Sequence, residues 1–359
     1  MLASNFAVAE LSPLATYLRF HGSPDKHGAL PRCIKPAQPK PRQTLHHTSS
    51  IDLMSDFEKR FLASYPQTAG PDAPSGHPGH LDSTQEKSLR HLQELARAQG
   101  FVDRTDDATL LRFLRARKFE VQKAFDMFKD CEKWRKEYGT NTIIEDFDYP
   151  ERQQVLAIYP KFYYKTDVDG RPVYYEMLGS VDVGKLQKVT TDERMLRDLV
   201  REYEAFIRYR LPAASREVGH LVETSCTILD LKNVSLSQAY HVYPFISQAA
   251  HIGQNYYPER MGKFYIINAP WGFSMIWSVI KKFLDPVTAE KIHILNYKYQ
   301  SEILKQVPKQ NLPVEFGGDS KTDGPIYLAD DGPWKNPQFQ GPEVEGQDAQ
   351  AAAEPQPQA

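Results

Sequence analysis

The chain has 359 residues, 41% of them hydrophobic, enough for one large or two smaller domains with a full core. Lys and Arg total 44 against 46 Asp and Glu, a net charge of -2 that removes any global electrostatic case for nucleic acid and leaves anion binding to local groups. The cysteines Cys33, Cys131 and Cys226 are far apart and form no CxxC or Cys/His cluster, which argues against a zinc module and fits a reducing compartment.

Residues 1–53 scatter Pro, His, Ser and basic side chains without an apolar period and read as a disordered extension. Asn5, Glu10, Ser12 and Pro13 interrupt any secretory signal there. Order is expected to begin near Met54, where Asp56 and Glu58 give a helix start. Over 83–138 the period is helical, with Leu89, Leu92, Leu95 and Ala96 on one stripe and Leu110, Leu111, Phe113 and Leu114 opening another. Three runs then read as strands: 171–178, 225–231 and 263–268. Helical stretches at 191–211, 235–256 and 272–284 lie between or after them, and this alternation argues an α/β sheet with helices packed on it. The end of the chain, 341–359, is Gly-, Pro-, Gln- and Ala-rich with several acids, and reads as a flexible tail.

No GxSxG elbow, Walker loop, GxGxxG, HExxH or kinase set is present. A triad of Ser225, Asp230 and His251 is the best enzyme candidate, but Ser225 lies within an apolar strand instead of on a sharp turn. In that strand, alternation puts Ser225, Thr227 and Leu229 on one face and Cys226, Ile228 and Asp230 on the other. The two hydroxyls therefore share a wall, either bonding nearby backbone or meeting a polar headgroup. Asp285, Pro286 and Thr288 mark a helix start, with Lys291 about one turn on: an anion-binding end, or an ordinary capped surface helix.

From Phe264 to Ile280 the chain carries no charge, at the short end of the about 17–25 residues that span a bilayer. Asn268, Pro270 and Gly272 divide the run into a strand, a turn and a helix, so it reads as a lining and not as an anchor. On the helix 272–284, Ser274, Ser278, Lys281 and Lys282 occupy one narrow arc. The remaining apolar arc is too wide for packing on one sheet alone, so either part of it faces a lipid-filled space or a membrane, or the helix is buried on two sides.

Taken together, Thr109-Leu-Leu-Arg-Phe-Leu-Arg-Ala-Arg-Lys118, Glu132-Lys-Trp-Arg135, Asp169-Gly-Arg-Pro-Val-Tyr174, Gly219-His-Leu-Val-Glu-Thr-Ser-Cys-Thr-Ile228 and Gln254-Asn-Tyr-Tyr-Pro-Glu-Arg-Met-Gly-Lys-Phe-Tyr-Ile-Ile-Asn-Ala-Pro270 closely resemble the fungal phosphatidylinositol/phosphatidylcholine transfer proteins of the CRAL-TRIO family. The likeness runs over about 54–337, including Asn311-Leu-Pro-Val-Glu-Phe-Gly-Gly318 and Gly332-Pro-Trp334. It implies a helical CRAL-TRIO-N unit at 54–145, a lipid-binding α/β domain at 146–318 with a mixed, mostly parallel sheet flooring an apolar cavity, and a C-terminal extension and tail at 319–359.

By this resemblance, phosphatidylinositol would meet Arg117, Glu259, Thr288 and Lys291. Phosphatidylcholine would meet Ser225 and Thr227 with Tyr163, Tyr174 and Tyr203, beside Phe206 and Ile207 where the family's model member has smaller valines. A gating helix carrying Phe273, Ile276, Trp277, Ile280, Lys281, Lys282 and Phe283 would open the cavity against a membrane. The resemblance further implies no catalysis, no metal and no cofactor beyond the bound lipid. It implies a monomer, cytoplasmic and transiently on Golgi membranes, that supplies phosphatidylinositol to a 4-kinase in support of secretory traffic.

Overall fold

A computed structural model of the chain describes residues 60–234, 236–273, 277–278, 281 and 286–341, with the backbone alone for 236–244. The helical period in the N-terminal part produces α1 (Ser83–Ala98), α2 (Asp107–Ala116) and α3 (Val121–Tyr138). Asp82 begins α1 with a reciprocal capping box to Gln85, and Gly139, in the left-handed region at φ 77°, ends α3. Leu92, Leu110, Leu114 and Phe128 close the core among these helices.

The α/β part follows with α4 (Arg152–Ile158), β1 (Lys161–Thr166), β2 (Pro172–Met177), α5 (Val183–Val189), α6 (Asp192–Ala205), α7 (Leu211–Val218), β3 (Ser225–Asp230), α8 (Leu236–Tyr256), β4 (Met261–Ile267), α9 (Pro286–Lys291), β5 (Ile292–Ile294) and α10 (Gln300–Gln306). The sheet is mixed, in the order β1-β2-β3-β4-β5, antiparallel between β1 and β2 and parallel elsewhere. Three of these strands match the sequence expectation. The other two, β1 and β5, were not anticipated.

Both sheet faces are covered. Phe162, Tyr164, Tyr175, Cys226 and Ile228 pack on one side with Ile303 of α10 and Phe316. On the other, Tyr163 and Tyr174 meet α6 and α8 residues such as Tyr203 and Ile252, while Leu229, Phe264 and Ile266 meet Ala289. The alternation expected for 225–230 is thus present, with Leu229 and Ile228 in opposite clusters. Burial pushes the Cys131 thiol up to about 11 and the Cys226 thiol well above its usual value, which keeps both unreactive at neutral pH.

Buried ion pairs join the parts. Arg112 and Arg115 take the two oxygens of Glu223 at 2.9 and 3.0 Å, tying α2 to the entry of β3. Arg135 of α3 binds Glu204 of α6 at 2.7 and 3.0 Å, and the Tyr257 hydroxyl donates to the same carboxylate. Past 318 the described part of the C-terminal extension is packed, with Ile326 and Trp334 buried and Asp330 accepting from Arg210 (3.1 Å) and from the Trp334 indole (2.8 Å).

Glu202 sits at the centre of a charged network. Burial alone would raise its pKa, but the guanidinium groups of Arg210, Arg152 and Arg201 hold it down at about 2, from an ordinary 4.5. An ionised, paired carboxylate of this kind stabilises the fold above pH 4.5, and its contribution fades as pH falls towards 2. Glu202→Gln should therefore destabilise the chain by about 3 kcal/mol at neutral pH. In urea unfolding, its deficit relative to the parent should shrink between pH 4.5 and 2; a pH-independent deficit would contradict the assignment.

Candidate functional site

Strand register places the candidate hydroxyls together. Tyr163 of β1, Tyr174 of β2, Thr227 of β3, Phe264 of β4 and Ile292 of β5 are successive cross-strand partners, so their side chains form one row on one face. Ser225 stands two residues before Thr227 on that face, opposite Met261. The next row, Lys161, Glu176, Leu229, Ile266 and Ile294, turns apolar across β3 to β5. Polar groups thus enter from the N-terminal ends of the parallel strands, and aliphatic surface follows.

Ser225 and Tyr174 are 1% exposed and Thr227 is 0% exposed, and the Ser225, Thr227 and Tyr174 hydroxyls have no hydrogen-bond partner among the described residues. A buried hydroxyl normally finds one, at a penalty of about 1–3 kcal/mol when it does not. On the opposite face the Tyr175 hydroxyl and His293 Nε2 are also unpaired, but they stand on separate strands, β2 and β5. What distinguishes the first face is the grouping of three.

Tyr203 and Phe206 of the aromatic wall come from a single interrupted helix. Between α6 and α7 the segment Phe206–Arg210 is π-helical, an insertion that commonly marks functional positions. It lays Phe206 parallel to Tyr163 with ring centroids 5.3 Å apart and carries the Arg210 guanidinium 4.5 Å above Tyr163. Tyr163 in turn lies 5.0 Å from Tyr174, and Tyr203 stacks on Tyr257 at 4.4 Å within the same cluster. Ile207 borders that cluster half-buried, and also lines a separate cavity of about 70 Å³ with Tyr65, Arg112 and Arg260.

At the N-terminal edge of the parallel strands, Lys291 Nζ lies 3.7 Å from Glu259 Oε2, both roughly three-quarters buried. Glu259 holds a left-handed backbone conformation (φ 58°) at the corner leading to β4, which points it towards α9. Thr288 is half-buried one turn before Lys291. Arg117 caps α2, its Nη1 donating to the Ala116 carbonyl at 3.0 Å, and makes no ion pair or hydrogen bond with the other three among the described residues. The helix start proposed at Asp285 lies outside the described residues.

Of the segment expected to close the site, Phe273 and Trp277 pack against the Leu229, Phe264 and Ile266 cluster, over the same sheet face as the hydroxyls, and Lys281 is exposed. Ile276, Ile280, Lys282 and Phe283 lie outside the described residues. Leu178, at the end of β2, joins this apolar patch to a cavity of about 460 Å³ lined also by Tyr159, Leu186, Met195, Phe245 and Ile246. That is within the roughly 300–1,000 Å³ of ligand pockets. No described helix is long and apolar enough to cross a membrane.

The hydrolase triad does not assemble. Asp230 accepts from the Lys232 backbone and Asn268 (both 2.8 Å), while His251 bonds Asn255 on the exposed side of α8. A buried pair that sequence reasoning missed lies beside the hydroxyls: the Tyr159 hydroxyl donates to Glu176 Oε1, two residues beyond Tyr174. Burial, then the Glu176 charge, drives the Tyr159 phenol well above its usual pKa, so it remains a donor. An isolated Glu in an aromatic run gave no signal of this.

Comparison with known proteins gives the family. Residues 158–318 match the CRAL/TRIO domain and residues 79–130 the CRAL/TRIO N-terminal domain. The SEC14 cytosolic factor of Yarrowia lipolytica is 60% identical over 290 residues, covering 81% of this chain and 59% of that protein. That of Candida glabrata is 57% identical over 291 residues, covering 80% of this chain and 96% of that protein. An Arabidopsis thaliana protein, phosphatidylinositol/phosphatidylcholine transfer protein SFH4, is 42% identical over 63% of this chain and 38% of its own length. The chain belongs to the CRAL-TRIO family, alongside the fungal SEC14 cytosolic factors.

Proposed function

We propose that the protein binds phosphatidylinositol and phosphatidylcholine one molecule at a time and exchanges them between membranes without altering them chemically. The three unpaired hydroxyls on one buried sheet face carry this reading, because a choline-lipid phosphate would supply the acceptors they lack. Their neighbours Tyr163, Phe206 and Tyr203 provide the aromatic faces that suit a quaternary ammonium group. The relatives support the ligand class, since the Arabidopsis protein is named for transfer of these two lipids.

Phosphatidylinositol is assigned to the paired Glu259 and Lys291 with Thr288 beside them, and to Arg117 at the end of α2. Lys291 and Arg117 would hold the phosphate and Glu259 the inositol hydroxyls. Both lipids would lay their chains along the Leu229, Phe264 and Ile266 surface under Phe273 and Trp277. Exposing roughly 30 chain carbons to water would cost on the order of 20 kcal/mol at ~0.8 kcal/mol per CH₂, so a carrier must shield them. The helix over this surface would swing out on the bilayer, with Lys281 and Lys282 near anionic headgroups. In the cell the protein would act in the cytoplasm and transiently on Golgi membranes, presenting phosphatidylinositol to a 4-kinase in support of secretion.

Transfer between vesicles tests the two headgroup assignments separately. Lys291→Ala should lower phosphatidylinositol transfer at least about tenfold by removing a charge-assisted bond, with phosphatidylcholine transfer retained. Equal phosphatidylinositol transfer by variant and parent would refute it. Thr227→Val should act in the opposite sense on two properties. It should cut phosphatidylcholine transfer about tenfold, yet raise the urea stability of the delipidated protein by about 1 kcal/mol, because it deletes an unpaired buried hydroxyl. Loss of stability would mean that the hydroxyl already has a protein partner.

A further inference from the structure

Trp271 is 98% exposed and Tyr297 is 74% exposed, the two aromatic residues that the described structure leaves most open to water. They belong to neighbouring loops. Trp271 follows β4 and Tyr297 follows β5, two parallel partner strands, so both loops leave the same C-terminal edge of the sheet. The loop after β3 joins them there. Leu231 N donates to the Ile267 carbonyl (3.0 Å), Asn268 Nδ2 to Asp230 (2.8 Å) and Ala269 N to the Leu295 carbonyl (3.2 Å), which fixes the three loops side by side.

The display of Trp271 is built into the backbone. Phe273 N donates to the Pro270 carbonyl at 3.0 Å across a tight turn whose third residue, Gly272, has φ 90°. A side chain at Gly272 would be strained in that conformation, and the turn holds Trp271 at its corner, away from the core. Tyr297 carries Lys298 Nζ 5.8 Å over its ring.

Among the described residues of these three loops the exposed charges have one sign, while Asp230, buried at the end of β3, is taken up by the Lys232 backbone and Asn268. The three loops read Leu-Lys-Asn-Val at 231–234, Asn-Ala-Pro-Trp-Gly-Phe at 268–273 and Leu-Asn-Tyr-Lys-Tyr at 295–299, with Lys232 and Lys298 exposed and no Asp or Glu. The nearest acid on the loop after β2, Asp182, caps α5 and pairs with Lys185 at 3.3 Å. Two water-facing aromatics flanked by exposed lysines match the layered chemistry of an anionic bilayer surface, where Trp and Tyr settle at headgroup depth and Lys meets lipid phosphate.

We infer that this edge, formed by Trp271, Tyr297, Lys232 and Lys298, is the surface by which the protein seats itself on an anionic membrane. It deepens the lipid-exchange reading and rests on it for its purpose. The paired headgroup residues Glu259 and Lys291 precede β4 and β5, so they lie at the opposite, N-terminal edge. A lipid held there would direct its chains along the sheet towards the seated edge, beneath Phe273 and Trp277.

Co-sedimentation of the full chain with vesicles tests the surface, using phosphatidylcholine alone and phosphatidylcholine mixed with phosphatidylserine. Trp271→Ala with Tyr297→Ala should lower binding to both kinds several-fold. Lys232→Ala with Lys298→Ala should lower binding to the anionic vesicles by about fivefold per lysine, the equivalent of about 1 kcal/mol per charge near such a surface, and should have no effect at high salt. All four side chains are exposed, so the fold should be retained, with circular dichroism as the control. Parental binding by both double variants would overturn the inference, and is also what a protein partner at this edge would give. Normal edge-dependent binding by a parent chain that moved no phospholipid would instead defeat the exchange reading and leave this surface standing.

Discussion

A hydroxyl buried without a partner is destabilising, and a sheet that holds three of them in adjacent positions on one face imposes a constraint on everything around it. The Ser225, Thr227 and Tyr174 hydroxyls lie where Phe264, Leu229 and Ile266 would otherwise make a continuous apolar floor. Water alone would not need the aromatic wall of Tyr163, Phe206 and Tyr203 beside them. A ligand with a polar head and long apolar chains answers both halves of the surface, which is why the floor changes character from one register row to the next.

The rest of the architecture keeps this floor fixed. Glu223 accepts two arginines from α2 at the entry to β3, and Glu204 takes Arg135 and Tyr257, so the N-terminal helices are clamped to the strand ends that present Ser225 and Glu259. The C-terminal extension adds a third clamp through Asp330, Arg210 and Trp334, beneath the Tyr163 ring. Removing one member of such a buried pair is more damaging than never having had it, because the remaining charge is left unpaired. By contrast, Phe273 and Trp277 rest on the floor through apolar contacts, an attachment that a bilayer can replace.

Legibility in the sequence followed locality. The face shared by Ser225 and Thr227 was readable because strand alternation is a property of adjacent residues, and the register rows bear it out. The strand β1 was not, since Phe162 and Tyr164 face one side and Tyr163 the other, giving aromatic residues on both faces and no alternation to detect. At three residues, β5 is too short to stand out behind α9. Glu176 and Tyr159, the pairing of Glu259 with Lys291 and the π-helical step at Phe206 all arise from chain crossings or helix geometry that no local pattern encodes. The headgroup roles came from family likeness, not from periodicity; the structure adds Tyr174 as the cross-strand neighbour of Thr227 and the missing partners.

The central claim is that one phospholipid completes this surface. Native mass spectrometry of the purified full-length protein addresses it most directly. The account predicts a single bound species with the mass of phosphatidylinositol or phosphatidylcholine, released intact on activation. A chain that flies at its bare polypeptide mass under conditions that preserve the fold would contradict it.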